Sequence, residues 1–200
     1  MRKILTTFLT CAVCLSPMAV HADDNPREKS NIIAKAYQEL SKDLDKVSTR
    51  HFNVIYSNYN LIKVVKTVQD SRQKAVSACG EKHPAMKTQL DARVKEWNDA
   101  INPILKEAEG NIDNMVLVQE YIESKKIKDL FQLIDKTRAK EEASTQKIPS
   151  TTEDSCNFLM KQMDDTQEKM INLLKATLIS LPLTIQKETE DAMSEQKDDA

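Results

Sequence analysis

Four cysteines and three histidines carry most of the chemistry available to this chain, and their positions sort them. Cys11, Cys14 and His21 lie within residues 1–22, which read as a secretory signal peptide: Arg2 and Lys3 open it, Ile4 to Leu15 form a short apolar run, and Val20-His21-Ala22 offers small residues at −3 and −1 of a cleavage site. Cleavage after Ala22 would leave only Cys79 and Cys156. A lone pair in an oxidising compartment reads as one disulfide rather than two buried thiols. No C-x-x-C remains after cleavage, so that bridge is structural, not catalytic. A lipoprotein anchor is the competing use of a leader cysteine. Leu9-Thr10-Cys11 and Ala12-Val13-Cys14 fit its Leu-x-(Gly/Ala)-Cys pattern poorly and lie inside the apolar run.

Of the two histidines that survive, His83 precedes Pro84 in a tight turn and reads as a surface residue. His51 falls on an apolar helical stripe. An inward His with an inward Met can ligate haem, and Met86, Met115, Met160, Met163 and Met170 are available, an arrangement similar to b-type cytochrome bundles. No C-x-x-C-H attachment site accompanies it, and methionines at helical spacing are ordinary core filling. His51 therefore stands as a haem-ligand candidate on one residue alone, and no metal or cofactor is expected. Glu-x-x-His and His-Glu-x-x-His are missing, and Gly80 and Gly110 cannot build a phosphate loop. Nothing resembles G-x-S-x-G. Asp164-Asp165 and Glu141-Glu142 read as solvated helix face. No catalytic residue is assigned and an enzyme is not expected.

The elements that position these residues follow from composition. Two glycines, 4% aromatics and 30% charged residues suit long helices and not sheets. Removing a 22-residue leader from 200 residues leaves 178, enough for one domain, expected over 23–193 with a disordered acidic tail at 194–200. Losing Arg2 and Lys3 from 29 basic residues leaves 27 against 31 acidic ones, a net charge of −4. Such a chain has no general attraction for nucleic acid, and Lys125-Lys126-Ile127-Lys128 is too short a run to supply one. No segment reaches the length of a membrane span. The nearest, Leu173 to Ile185, is interrupted by Lys175 and Pro182.

The fold expected is an elongated antiparallel four-helix bundle or coiled coil with one very long first helix, stapled by the disulfide. Ile33, Tyr37, Leu40, Leu44, Val47, His51, Val54, Asn58, Leu61, Val65, Val68, Arg72, Ala75 and Cys79 keep a 4-3 spacing, on one stripe of that helix. Ser48-Thr49 is its weakest point, and Gly80 its expected left-handed end. A second helix is expected from Pro84 to Glu109 with a kink at Pro103, and a third from Gly110-Asn111 to Arg138. A loop over 143–152 leads to a fourth, opened by a Ser150/Glu153 or Thr151/Asp154 capping box and bent or ended by Pro182. Alternating directions bring Cys79 and Cys156 to the same end. The first helix overshoots its neighbours, so its N-terminal half must pack on the last helix, on a partner, or on a segment folded back.

These features favour interaction. Phe52, Tyr56 and Tyr59 form a candidate face on the first helix, and Leu178 and Leu181 a second one that could dock a partner or a membrane surface. The plan resembles small exported helical-bundle proteins, including periplasmic chaperone-like and secretion-system accessory proteins; the resemblance is one of architecture and rests on no motif. The Arg2-Lys3 opening of the leader and the Asp23-Asp24-Asn25 that follows it resemble Gram-negative export, so a periplasmic or secreted location is expected, for a non-enzymatic protein that acts on another protein or on itself, as a homodimer through the first helix. A ligand or haem carrier built around His51, and an exported effector or toxin acting on a membrane, are the alternatives.

Overall fold

The computed structural model describes residues 26–144 and 149–198. The expected leader 1–22, with Cys11 and Cys14, lies outside the described residues, as does 145–148 of the loop. The elements are α1 (Pro26–Ser41), α2 (Lys46–Lys82), a 3-10 turn at Pro84–Met86, α3 (Lys87–Val118), α4 (Ser124–Ser144), α5 (Glu153–Leu174), a π-helical segment at Lys175–Ser180 and α6 (Leu181–Asp198). The fold is all-α, and Cys79 is bonded to Cys156 with their Cα atoms 5.8 Å apart.

α2 is the spine, 37 residues and about 55 Å long. α3 returns antiparallel to it: Gly80 meets Lys87 at one end, Lys66 pairs with Glu109 midway, and His51 meets Tyr121 at the other. α4 runs parallel to α2, with Tyr59 beside Asp135 and Thr67 beside Glu142. α5 and its continuation are antiparallel again, through Cys79–Cys156, Asn58–Thr177 and Arg50–Glu188 in turn. This is the up-down-up-down order of a four-helix bundle. Its core is a single apolar cluster that includes Phe52, Ile55, Leu90, Trp97, Ile101, Met115, Ile127, Ile134, Met163 and Leu178.

The first helix is not continuous. It breaks at residues 42–45, and α1 folds back to pack against α4, with Tyr37 reaching across to α2. Asp45 makes the break without glycine or proline. Its Oδ1 accepts the Val47 and Ser48 N–H groups at 2.8 and 2.9 Å, and its Oδ2 accepts the Ser48 hydroxyl at 2.7 Å. This is an N-cap that competes locally with helix continuation. The Ser48 N–H, then its hydroxyl, hold the Asp45 carboxyl below the ordinary carboxylate range. Tyr37 of α1 stacks on Phe52 at 5.3 Å and donates its hydroxyl to Asn53.

Both glycines differ from expectation. α2 passes straight through Gly80, which has no positive φ, and is capped at His83. Gly80 serves close approach instead: a Cβ there would stand 3.2 Å from Lys87 Cγ. α3 also continues through Gly110, because Ile101, Ile104, Leu105, Ala108, Ile112, Met115 and Val116 form one buried stripe. Burying that stripe outweighs a glycine penalty of about 1 kcal/mol. The turn lies at 119–123, where Gln119 Oε1 accepts the Ile122 N–H and Gln119 Nε2 donates to the Ile122 carbonyl. Pro103 sits inside α3 on its exposed side. Thr152, rather than Ser150 or Thr151, caps α5 by accepting the Ser155 N–H. Pro182 does not end the last helix: α6 runs to Asp198, into the 194–200 stretch that composition reads as a disordered tail.

The bridge closes a separation of 77 residues. The chain-entropy model assigns such a loop on the order of 4 kcal/mol. A Cys79→Ala/Cys156→Ala variant should unfold at markedly lower denaturant, with a higher m-value because the unbridged denatured chain is more expanded, and the oxidised chain should migrate faster than the reduced one on a gel. Equal midpoints would refute a stabilising bridge.

Candidate interaction surface

Polar residues on the α2 stripe are spent inside the molecule. Asn58 is buried and donates its Nδ2 to the Thr177 carbonyl at 3.3 Å. That carbonyl needs a donor for a covalent reason. In the π-helical segment the Leu181 N–H bonds back to Ala176, so the next bond of the series would come from residue 182, which is proline. Asn58 supplies what Pro182 lacks. The π segment then lets Leu174, Leu178, Ile185 and Thr189 stay buried on both sides of Pro182. Leu174, Leu178 and Ile185 of the apolar 173–185 stretch thus pack inward on the side of the N-terminal half of α2, while Leu173, Leu181 and Leu183 are exposed.

His51 is also internal. It is buried, its ring stands edge-on to Tyr121 at 5.7 Å, and its Nδ1 shares a 2.5 Å hydrogen bond with the Tyr121 hydroxyl. The considered haem ligand is therefore committed at Nδ1 to a phenol. Burial, then the charge of Asp45, pushes the Tyr121 phenol above its ordinary value of 10.0. Arg72 lies over the ring of Trp97 with its guanidinium carbon 4.0 Å from the centroid, a cation–π contact in place of a partner contact. Among the described residues, no group of three or more His, Cys, Asp or Glu side chains could hold a metal ion.

The expected aromatic face is covered. Phe52 is fully buried under Tyr37, and Tyr56 lies 4.6 Å from the same ring. Tyr59 stacks on Phe131 at 3.7 Å and donates its hydroxyl to Asp135, which also pairs with Lys63. Burial, then that hydrogen bond and the Asp135 charge, raises the Tyr59 phenol well above its ordinary value. Of the second expected face, Leu178 is fully buried and only Leu181 is open to solvent. Four of the five proposed interaction residues thus pack within the bundle. Folding back of α1, which the sequence left as one of three options, is what covers Phe52 and Tyr56.

An open surface exists elsewhere. Beside the disulfide, α2 and α5 with the loop before α5 form an open groove of about 610 Å³, lined by the apolar Ala75, Pro149, Phe158 and Leu159 and the polar Ser150, Asp154, Ser155 and Gln162. Phe158 is 62% exposed, and among the described residues it is the one aromatic ring left mainly to solvent. Several contacts hold the groove in place. The bridge ties α2 to the first turn of α5, and His83 Nε2 donates to the Thr151 carbonyl at 2.8 Å. Arg93 of α3 binds Asp164 and Gln167 further along α5. Sequence reading missed Phe158, and it left His83 as a surface turn residue without its bond to Thr151. The available signal was a phenylalanine off the α5 stripe of Cys156, Leu159 and Met163.

Comparison with protein-family models, curated proteins and solved structures gives no match. Among the described residues, no helix is long and apolar enough to cross a membrane.

Two outcomes check these placements. Asn58→Ala should cost about 1–3 kcal/mol by stranding the Thr177 carbonyl. In a Pro182→Ala background, where residue 182 regains an N–H, the cost should shrink; equal costs in a double-mutant cycle would contradict the assignment. The Tyr59 and Tyr121 phenols have folded pKa values above their unfolded ones, so their contribution is full below about pH 10 and is lost as pH rises beyond it. Urea midpoints should fall above pH 10, with less of a fall in Tyr59→Phe.

Proposed function

We propose that this chain is an exported, non-enzymatic helical-bundle protein that binds another protein through the Phe158 groove. One observation carries the reading: an exposed phenylalanine on a groove whose walls are fixed by a buried disulfide. Exposing an aromatic ring costs solubility, and a rigid apolar recess with a polar rim is what a partner's side chain or short apolar segment needs. Attachment of the groove to a pre-ordered helix pair lowers the ordering cost of binding. The oxidised Cys79–Cys156 pair supports export, since such bridges persist in oxidising compartments. Periplasmic location, or secretion beyond it, is the compartment this reading takes, supported by that bridge and by the leader-like sequence of 1–22.

A second reading rests on the groove volume, which lies within the range of small-ligand pockets. On it the chain carries a small apolar molecule. The open side favours the protein partner, because a small ligand seated there would keep much of its surface wet.

The test is site-specific photocross-linking from Gln162 in cells, comparing the native chain with Phe158→Asp. A discrete cross-linked species should form with the native chain and fall at least tenfold in the variant, while the thermal midpoint stays within about 2 °C because Phe158 is exposed. A cross-linking pattern indifferent to residue 158 would sink the reading.

A further inference from the structure

The 4-3 apolar spacing of Ile33, Tyr37, Leu40, Leu44, Val47, His51, Val54 and Asn58 runs without a slip through the segment at which the chain reverses. Residues 42–45 are Lys-Asp-Leu-Asp, with no glycine or proline to forbid a helix. The chain is thus patterned for one straight helix and is folded as two. Asp45 decides between them: the two hydrogen bonds it accepts from backbone N–H groups exist only when α2 starts at residue 46.

Three further observations bear on what the reversal holds. From residue 31 to residue 41, no residue of α1 is fully buried; Ile33, Ala36, Tyr37 and Leu40 are each partly covered. Beneath them, Phe52 is fully buried and Tyr56 half-buried, so lifting α1 would open an aromatic face that needs a cover. Val47 keeps the stripe position but is 42% exposed, because the reversal takes α1 away from the line of α2.

We propose that residues 42–45 are a hinge, and that α1 can exchange between two copies of this chain, each α1 seating on the Phe52–Tyr56 face of the other copy. The occupant follows from the pattern. A second copy's α1 brings the same Tyr37 to the same Phe52, Asn53 and Tyr56 and the same helix face to α4, so the docking contacts are regained. The straightened hinge adds helical hydrogen bonds across 42–45 and brings Val47 into line with Leu44 and His51, at the loss of the Asp45 cap. Exchange of an identical element through a short connection is a low-cost route to a two-fold dimer. The groove reading is independent of this one and involves no shared residue.

Sedimentation of the full mature chain over a wide concentration range provides the test, with Trp97 fluorescence to confirm folding. Asp45→Ala removes the cap and favours a continuous helix, so its dimer association constant should rise at least about fivefold. Lys42→Gly/Asp43→Gly penalises the straight helix and should lower it. Chains carrying Gln38→Cys are then mixed with chains carrying Asn53→Cys and treated with a short bis-maleimide. A cross-linked heterodimer is expected, because Tyr37 reaches Asn53 across the docking face. Monomer at every concentration in all three hinge forms, or dimers without the 38–53 intermolecular cross-link, would overturn the proposal.

Discussion

The Cys79–Cys156 bridge is the constraint from which the remaining geometry follows. It fixes the register of α2 against α5, and the same register is still in force at the far contact. Asn58 lies 21 residues before Cys79, and Thr177 lies 21 residues after Cys156. That distance is about 30 Å of helix. One covalent link therefore sets which carbonyl Asn58 meets. It also sets which apolar residues of the last helix fall against α2, and where the first turn of α5 stands. His83 and Arg93 then secure α5 by a loop carbonyl and a carboxylate, and the Phe158 groove forms between surfaces that cannot slide.

A second level of organisation comes from side chains that imitate backbone chemistry. Asp45 ends one helix and starts another by accepting amide hydrogens. Gln119 makes a turn by engaging both the N–H and the carbonyl of Ile122. Asn58 stands in for the N–H that Pro182 lacks. Each is a polar group whose hydrogen bonds are completed within the fold, which is the condition for burying or ordering it. None requires glycine, and neither glycine of the chain marks a turn.

This explains what could be read in advance. The helical class, the single bridge and the common end of Cys79 and Cys156 all follow from composition, periodicity and cysteine position, which report on burial directly. The break at 42–45 and the turn at 119–123 were not legible, because a lone Asp or Gln has no distinctive pattern until its amide partners are known. Gly80 and Gly110 misled for the converse reason: tertiary packing of the flanking apolar residues overrode a local preference. The aromatics of α2 read as an interaction face, but they are covered by α1 and α4, which a single-helix projection does not include. Phe158 went unread because a single off-stripe aromatic is too weak a signal on its own, and only the structure sets it on a groove.

The central claim is that the bridge holds α5, and with it the groove, in register on a core that is otherwise complete. Peptide-resolved hydrogen exchange, comparing the native chain with Cys79→Ala/Cys156→Ala under native conditions, tests it most directly. The account predicts a loss of protection concentrated in 153–163 and at the end of α2 near residue 79, with the Trp97 and Ile101 region of α3 still protected. Uniform loss across every helix, or unchanged protection at 153–163, would contradict it.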